Sequence, residues 1–190
     1  MTSDGAAAPA AAGAAAAAAA GAAGAASADA AAAGEAGEAA VATISSRELT
    51  HHVGASFSSP AAIAVTRELV LAFATLTGAD HWMHVDAERA AASPLGRATV
   101  PGLLTLSLGA RLEKQILHVQ ASDAVFYGFD RVRFPAPMFV GAPLRLEVEI
   151  ISATSSPDSV RAVFRHRFWS SGAKPVCVAE QNVRYTHDQP

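Results

Sequence analysis

The stretch GLLTLSLGARLEKQILHV, residues 102–119, decides the fold. It is apolar almost all round in its first half and polar only toward Arg111 to Gln115, so it predicts a helix that is buried rather than laid on a surface. Four strand patterns follow it with no further helix: AVFYGFDRVRF (124–134), PLRLEVEIISA (143–153), SVRAVFRHRFWS (159–170) and PVCVAEQNVRYT (175–186). In the second, Leu144, Leu146, Val148 and Ile150 alternate with Arg145, Glu147 and Glu149, which gives one buried and one wet face. Turn signals at Pro135 to Pro137, Gly141 to Pro143, Ser155 to Asp158 and Ser171 to Gly172 divide the run into an antiparallel meander. The fold class is α+β: an antiparallel sheet wrapped around a long buried central helix.

Upstream, Thr66 precedes RELVLAFATLT, where Leu69, Phe73 and Leu76 share one helical face and Glu68 sits in the first turn near the positive end of the dipole. Gly78 ends that helix. Asp86 then caps a second short one, AERAAA, which Pro94 and Gly96 stop. A first strand lies ahead of both, within ASFSSPAAIAV (55–65). Between the helices runs TGADHWMHVD (77–86), which sets a histidine and carboxylates shortly before the glycine that opens the central helix. A buried histidine can move a proton near neutral pH, and the first free amides of a helix can hold charge developing on a carbonyl oxygen. The pattern points to chemistry on a carbonyl.

Composition bounds the rest. Residues 1–45 are an Ala/Gly-rich, low-complexity tail without Leu, Phe or Trp, expected to be disordered, and residues 46–190 form the folded domain of roughly 145 residues. The tail opens MTSDG and has no Lys or Arg before Arg47, which does not fit a secretory signal, and no window reads as a membrane span. A net charge of −3 gives no broad basic field, so nucleic-acid binding is not expected. The single Cys177 excludes an intrachain disulfide and a multi-cysteine zinc site, consistent with a cytoplasmic protein, and its setting in PVCVAE reads as packing.

FATLTGADHWMHVD (73–86), the ASPLG turn (92–96), VPGLLTLSL (100–108) and FDRVRFPAPMFVGAPLRLEVEI (129–150) together resemble the MaoC-like hydratases and dehydratases of the hot-dog fold. That family includes the (R)-specific enoyl-CoA hydratases and the nodulation protein N group, and the similarity runs from about residue 47 to 187. The resemblance implies a single hot-dog domain that hydrates 2-enoyl thioesters or dehydrates 3-hydroxyacyl thioesters. Acyl-CoA or acyl-carrier substrates of fatty acid or polyketide metabolism are implied, with no cofactor and no metal. It also implies pairing of protomers as a homodimer or paralogue heterodimer, with residues 124–134 as the candidate edge.

In the family an Asp directly follows the TG dipeptide and a His stands five residues after it. Carried over, the catalytic His is His84 and the oxyanion donor is the backbone amide of Gly102. The Asp position holds Ala79, with Asp80 one place late as the candidate stand-in, and Pro101 stands where the family often has His or Gln. The substitution at Ala79 sets a second reading beside the enzyme: a catalytically impaired acyl-thioester-binding or partner subunit. A thioesterase ranks last, because the motif resembles the hydratase branch. His81, His84 and Asp86 form only a weak metal pattern. Trp82 and Met83 read as packing under the loop, His118 and His166 as structural or surface histidines. Arg133, Arg161 and Arg165 read as wet-face strand charges, with contact to substrate phosphates as the alternative.

Overall fold

The computed structural model describes residues 41–188. The expectation of a disordered tail falls outside them, except that Ala42–Ser45 already forms strand β1. A 3₁₀ turn at Leu49–His52 follows, then β2 (Ser56–Ser58) and β3 (Ile63–Ala64). The helices are α1 (Arg67–Thr77), α2 (Trp82–Val85), α3 (Ala87–Ala91), α4 (Gly102–Ser107) and α5 (Gly109–Glu113). The remaining strands are β4 (Leu117–Gln120), β5 (Asp123–Arg133), β6 (Pro143–Ser155), β7 (Ser159–Trp169) and β8 (Cys177–Thr186).

The main sheet is antiparallel with order β2-β6-β7-β8-β5, and β3 adds to β6 beyond β2. The single first strand read in 55–65 is therefore two short strands. Pro60 has no N–H to give a ladder, and just before it Ser59 keeps both its N–H and its hydroxyl on Leu146, at 2.8 and 3.1 Å. Alternation along β6 is as read: Leu144, Leu146, Val148 and Ile150 are buried, facing the same core as Ala162, Phe164 and Phe168 of β7. On the other face Arg165 and Arg167 pair with Glu147, Glu149 and Glu180 across three strands, at 2.7–3.4 Å.

The central helix is α4 and α5, continuous in backbone bonding through Leu108, whose N–H reaches Leu104 O and whose carbonyl accepts from Leu112 N. Leu104, Gly109 and Leu112 are buried against the sheet. A Cβ on Gly109 would stand 2.8 Å from Phe168 Cζ, so glycine here lets helix and sheet close together. The helix ends at Glu113, earlier than the apolar run to Val119 suggested. Leu117 to Gln120 instead pair in parallel with β1, an attachment made by residues far back in the chain.

α1 starts at Thr66, whose hydroxyl accepts from Leu69 N, and stops at Gly78 in the left-handed region (φ 72°). Its buried face is Val70 and Ala74, with Phe73 packed beside them; Leu76, read as facing inward, is 84% exposed.

Candidate active site

The loop after α1 is organised by its own side chains. The His81 ring accepts from Met83 N, starting α2, and Asp86 Oδ1 accepts from Arg89 N at 3.0 Å, starting α3 as expected. Trp82 is half-buried under the Arg89 guanidinium, 4.7 Å from the ring centroid. Thr99 ties the loop to the body: its N–H donates to Met83 O at 2.9 Å, while Val100 N donates to Met138 O at 2.8 Å.

His84 is the outcome of that folding. Its Nδ1 lies 2.8 Å from the carbonyl oxygen of Thr99 and 3.2 Å from the Thr99 hydroxyl. A carbonyl oxygen can only accept, so Nδ1 carries the hydrogen and the lone pair of the neutral ring is on Nε2. The half-buried ring is thus fixed in the tautomer of a proton acceptor.

His84 and Gly102 line one cavity of about 420 Å³, with Thr99, Phe134 and Met138 among its mainly apolar walls. Gly102 opens α4, and the first intrahelical bond runs from Thr105 N to Pro101 O, so the amides of Gly102 to Leu104 precede the ladder. Pro101 removes only its own donor. A Cβ at Gly102 would meet the Phe134 ring at 2.8–2.9 Å, so the absence of a side chain is what lets this ring lie against the helix end. The site therefore offers a base, an amide donor and an apolar chamber.

Asp80 is exposed and does not line this cavity, and neither does Ala79. Among the described residues no group of three His, Cys, Asp or Glu side chains could hold a metal. Cys177 is buried, its thiol pushed up to about 12 by that burial, as suits a packing residue. His118 is exposed, whereas His166 is 1% exposed on the inner face of β7, with neither ring nitrogen hydrogen-bonded among the described residues. Sequence reading pointed to His84 and Gly102 but missed Thr99, whose orienting group is a backbone carbonyl and leaves no residue-type signal.

The model of the MaoC like domain matches residues 48–166. A 3-hydroxyacyl-thioester dehydratase Z from Mycobacterium tuberculosis is 40% identical over 65% of this chain and 83% of its own. Nodulation protein N from Rhizobium meliloti is 33% identical over 52% of this chain and 63% of its own. Among solved structures, the (R)-hydratase of A. caviae involved in PHA biosynthesis superimposes with a TM-score of 0.58 at 26% identity, covering 69% of this chain and 94% of that one. A MaoC-like dehydratase from Rhodospirillum rubrum gives a TM-score of 0.63 at 23% identity, covering 73% and 94%. With an antiparallel sheet on a central helix and these neighbours, the α+β hot-dog architecture stands, and the chain belongs to the MaoC-like domain family.

Proposed function

We propose that the protein is an (R)-specific 2-enoyl-thioester hydratase and 3-hydroxyacyl-thioester dehydratase. The observation that carries this is the pairing, in one apolar cavity, of a histidine fixed with Nε2 as acceptor and the free amides that open the central helix. The dehydratase and hydratase relatives support the same reading.

In the hydration direction His84 Nε2 takes a proton from water as the oxygen bonds to C3 of the enoyl group. The C2–C3 π electrons move onto the thioester carbonyl, and the enolate oxygen is held by the Gly102 N–H. Collapse of the enolate takes the proton from His84 to C2. Dehydration is the reverse, with hydroxide leaving as water. Without a carboxylate at position 79, one imidazole serves both transfers; Asp80 is the alternative second group, and its exposure outside the cavity favours His84 acting alone.

The decisive assay is loss of enoyl-thioester ultraviolet absorbance with crotonyl-CoA and a medium-chain 2-enoyl-CoA. His84→Ala is expected to lower the rate at least about a hundredfold, and Ala79→Asp to raise it. A folded wild type with no turnover, or with turnover indifferent to His84→Ala, sinks the reading. Asp80→Asn separates the two mechanisms: an unchanged rate leaves His84 alone, and a tenfold loss (about 1.4 kcal/mol of barrier) gives Asp80 the second role.

The same reading includes a cytoplasmic location, supported by the single buried Cys177, and pairing with a second copy along β5. Among the described residues no helix is long and apolar enough to cross a membrane.

A further inference from the structure

We propose that Arg97 and Lys174 form a phosphate site for the arm of the thioester substrate, in a second cavity adjoining that of His84. The inference rests on the thioester reading above and assigns a binding place for the part of the substrate that does not react. The second cavity measures about 350 Å³. Ala136, Pro137 and Val176 line both cavities, so one short wall has the reacting centre on one side and two cations on the other.

The backbone holds Arg97 in place. The segment that follows it is strung against Met138 to Val140, with Val140 N on Ala98 O at 3.0 Å, Val100 N on Met138 O at 2.8 Å and a bridge between Thr99 and Phe139. The extended strip that presents Arg97 to the second cavity is thus the one whose Thr99 carbonyl orients His84. The Arg97 guanidinium lies over the Phe139 ring, 4.0 Å from its centroid. Stacking covers a guanidinium face and leaves its in-plane N–H groups available to oxygen. Lys174 enters from the turn between β7 and β8 as a flexible point charge.

Position singles this pair out: Arg97 and Lys174 are the cations lining the cavity that shares its wall with that of His84, and among the described residues both are left free of carboxylates. Arg131, Arg165 and Arg167 are matched with glutamates, whereas among the described residues neither Arg97 nor Lys174 forms an ion pair. With a net charge of −3 the chain offers a polyanion no general attraction, so an anionic arm needs local cations. The arginines suggested by the strand patterns serve otherwise. Arg165 sits in the glutamate ladder, Arg161 lies 5.4 Å from the Tyr127 ring in a different cavity, and Arg133 donates to Val132 O. A phosphopantetheine arm has its thioester at one end and a phosphate at the other, matching the order of the two cavities. Coenzyme A and a carrier protein share that phosphate.

The test is calorimetric binding of CoA, phosphopantetheine and pantetheine to the full chain and to an Arg97→Gln/Lys174→Gln variant. Turnover of crotonyl-CoA and of the crotonyl thioester of N-acetylcysteamine is measured alongside. Both residues are exposed, so the variant is expected to fold. CoA and phosphopantetheine should bind it about tenfold or more weakly, with pantetheine unchanged. KM for crotonyl-CoA should rise by the same factor at constant kcat, and the phosphate-free thioester should be indifferent. Equal CoA affinity in wild type and variant, or no CoA binding by wild type, overturns the site. A loss confined to CoA overturns the shared-phosphate assignment in favour of the nucleotide phosphates. Phosphate-dependent binding without turnover of either thioester supports the site and sinks the hydratase reading instead.

Discussion

His84 and His166 show how the same side chain is put to opposite uses by its surroundings. His84 keeps a carbonyl partner on Nδ1 and a cavity beside it, and it is the backbone oxygen of Thr99, closer than the hydroxyl, that orients it. Thr99→Val removes the longer of the two His84 contacts, with the hydroxyl's 3.4 Å bond to Met83 O, and keeps the carbonyl, so turnover should fall by less than about threefold, well under one charge-assisted bond; a loss as large as that of His84→Ala would transfer the orienting role to the hydroxyl. His166 lies buried between Phe129 and Phe168, with Glu113 Oε1 3.9 Å from Nε2 and Gln181 at the same cavity, and burial lowers its pKa to about 4. Below about 6.5 the unfolded chain binds a proton at this residue that the folded chain refuses, so its contribution to stability is present above 6.5 and is lost as pH falls toward 4. At ~1.4 kcal/mol per pH unit the loss over that window is roughly 3 kcal/mol. Glu113, raised by burial, opposes this, because its protonated form is the one favoured in the folded state. His166→Leu should therefore hold its melting temperature at pH 7 and melt with a flatter pH dependence between 6.5 and 4; a profile parallel to wild type would show that other groups carry the acid sensitivity.

The elements respond to substitution according to what stands against them. Gly102→Ala pushes on the Phe134 ring, which is 44% exposed and can turn aside, so the expected effect is a lower rate at nearly constant melting temperature. Gly109→Ala pushes on Phe168, fully buried, and overpacking of that kind costs about 1–3 kcal/mol. The pair is read by calorimetry and the absorbance assay together; equal destabilisation by both would mean that Phe134 is held as firmly as Phe168. These contrasts mark what was legible in the sequence. Thr66, Gly78 and Asp86 could be placed because capping is decided within a few residues, and the strand alternation of β6 because its period is local. The buried face of α1 could not, since Leu69, Phe73 and Leu76 form as good a stripe as Val70 and Ala74 until the packing partner is known. The end of the central helix was hidden for the same reason: Leu117 and Val119 suit a helix or a strand, and β1 settles it. In the site, the loop motif and the helix glycine pointed to His84 and Gly102, whereas the tautomer of His84 and the placing of Arg97 and Lys174 on one cavity arise from segments brought together by the fold.

At the scale of the whole molecule, β5 is the edge strand on which the proposed pairing of two copies rests. It closes one end of the sheet, bonded to β8 on one side and, among the described residues, to no strand on the other. Such an edge invites a further strand, and natural sheets usually blunt theirs with charge, proline or strong twist. β5 has charges at its two ends, Asp123 and Asp130 to Arg133, but its first half is aromatic: Phe126 is 54% and Tyr127 57% exposed, with Val125 beside them and Phe134 following the strand. Its irregularities, between Phe126 and Gly128 and between Asp130 and Arg133, divide the strand rather than remove the free edge. A second copy laid antiparallel along β5 would pair these amides and cover the aromatic side chains about a two-fold axis, the arrangement of a closed dimer. Light scattering at micromolar concentration should therefore give twice the 19.3 kDa chain mass. Phe126→Glu sets like charges facing each other near the axis and should shift the protein toward monomer, with Phe126→Tyr as the control that keeps the dimer. A wild-type monomer, or a Phe126→Glu protein that stays dimeric, would place the assembly surface elsewhere and leave β5 an exposed edge in need of another explanation.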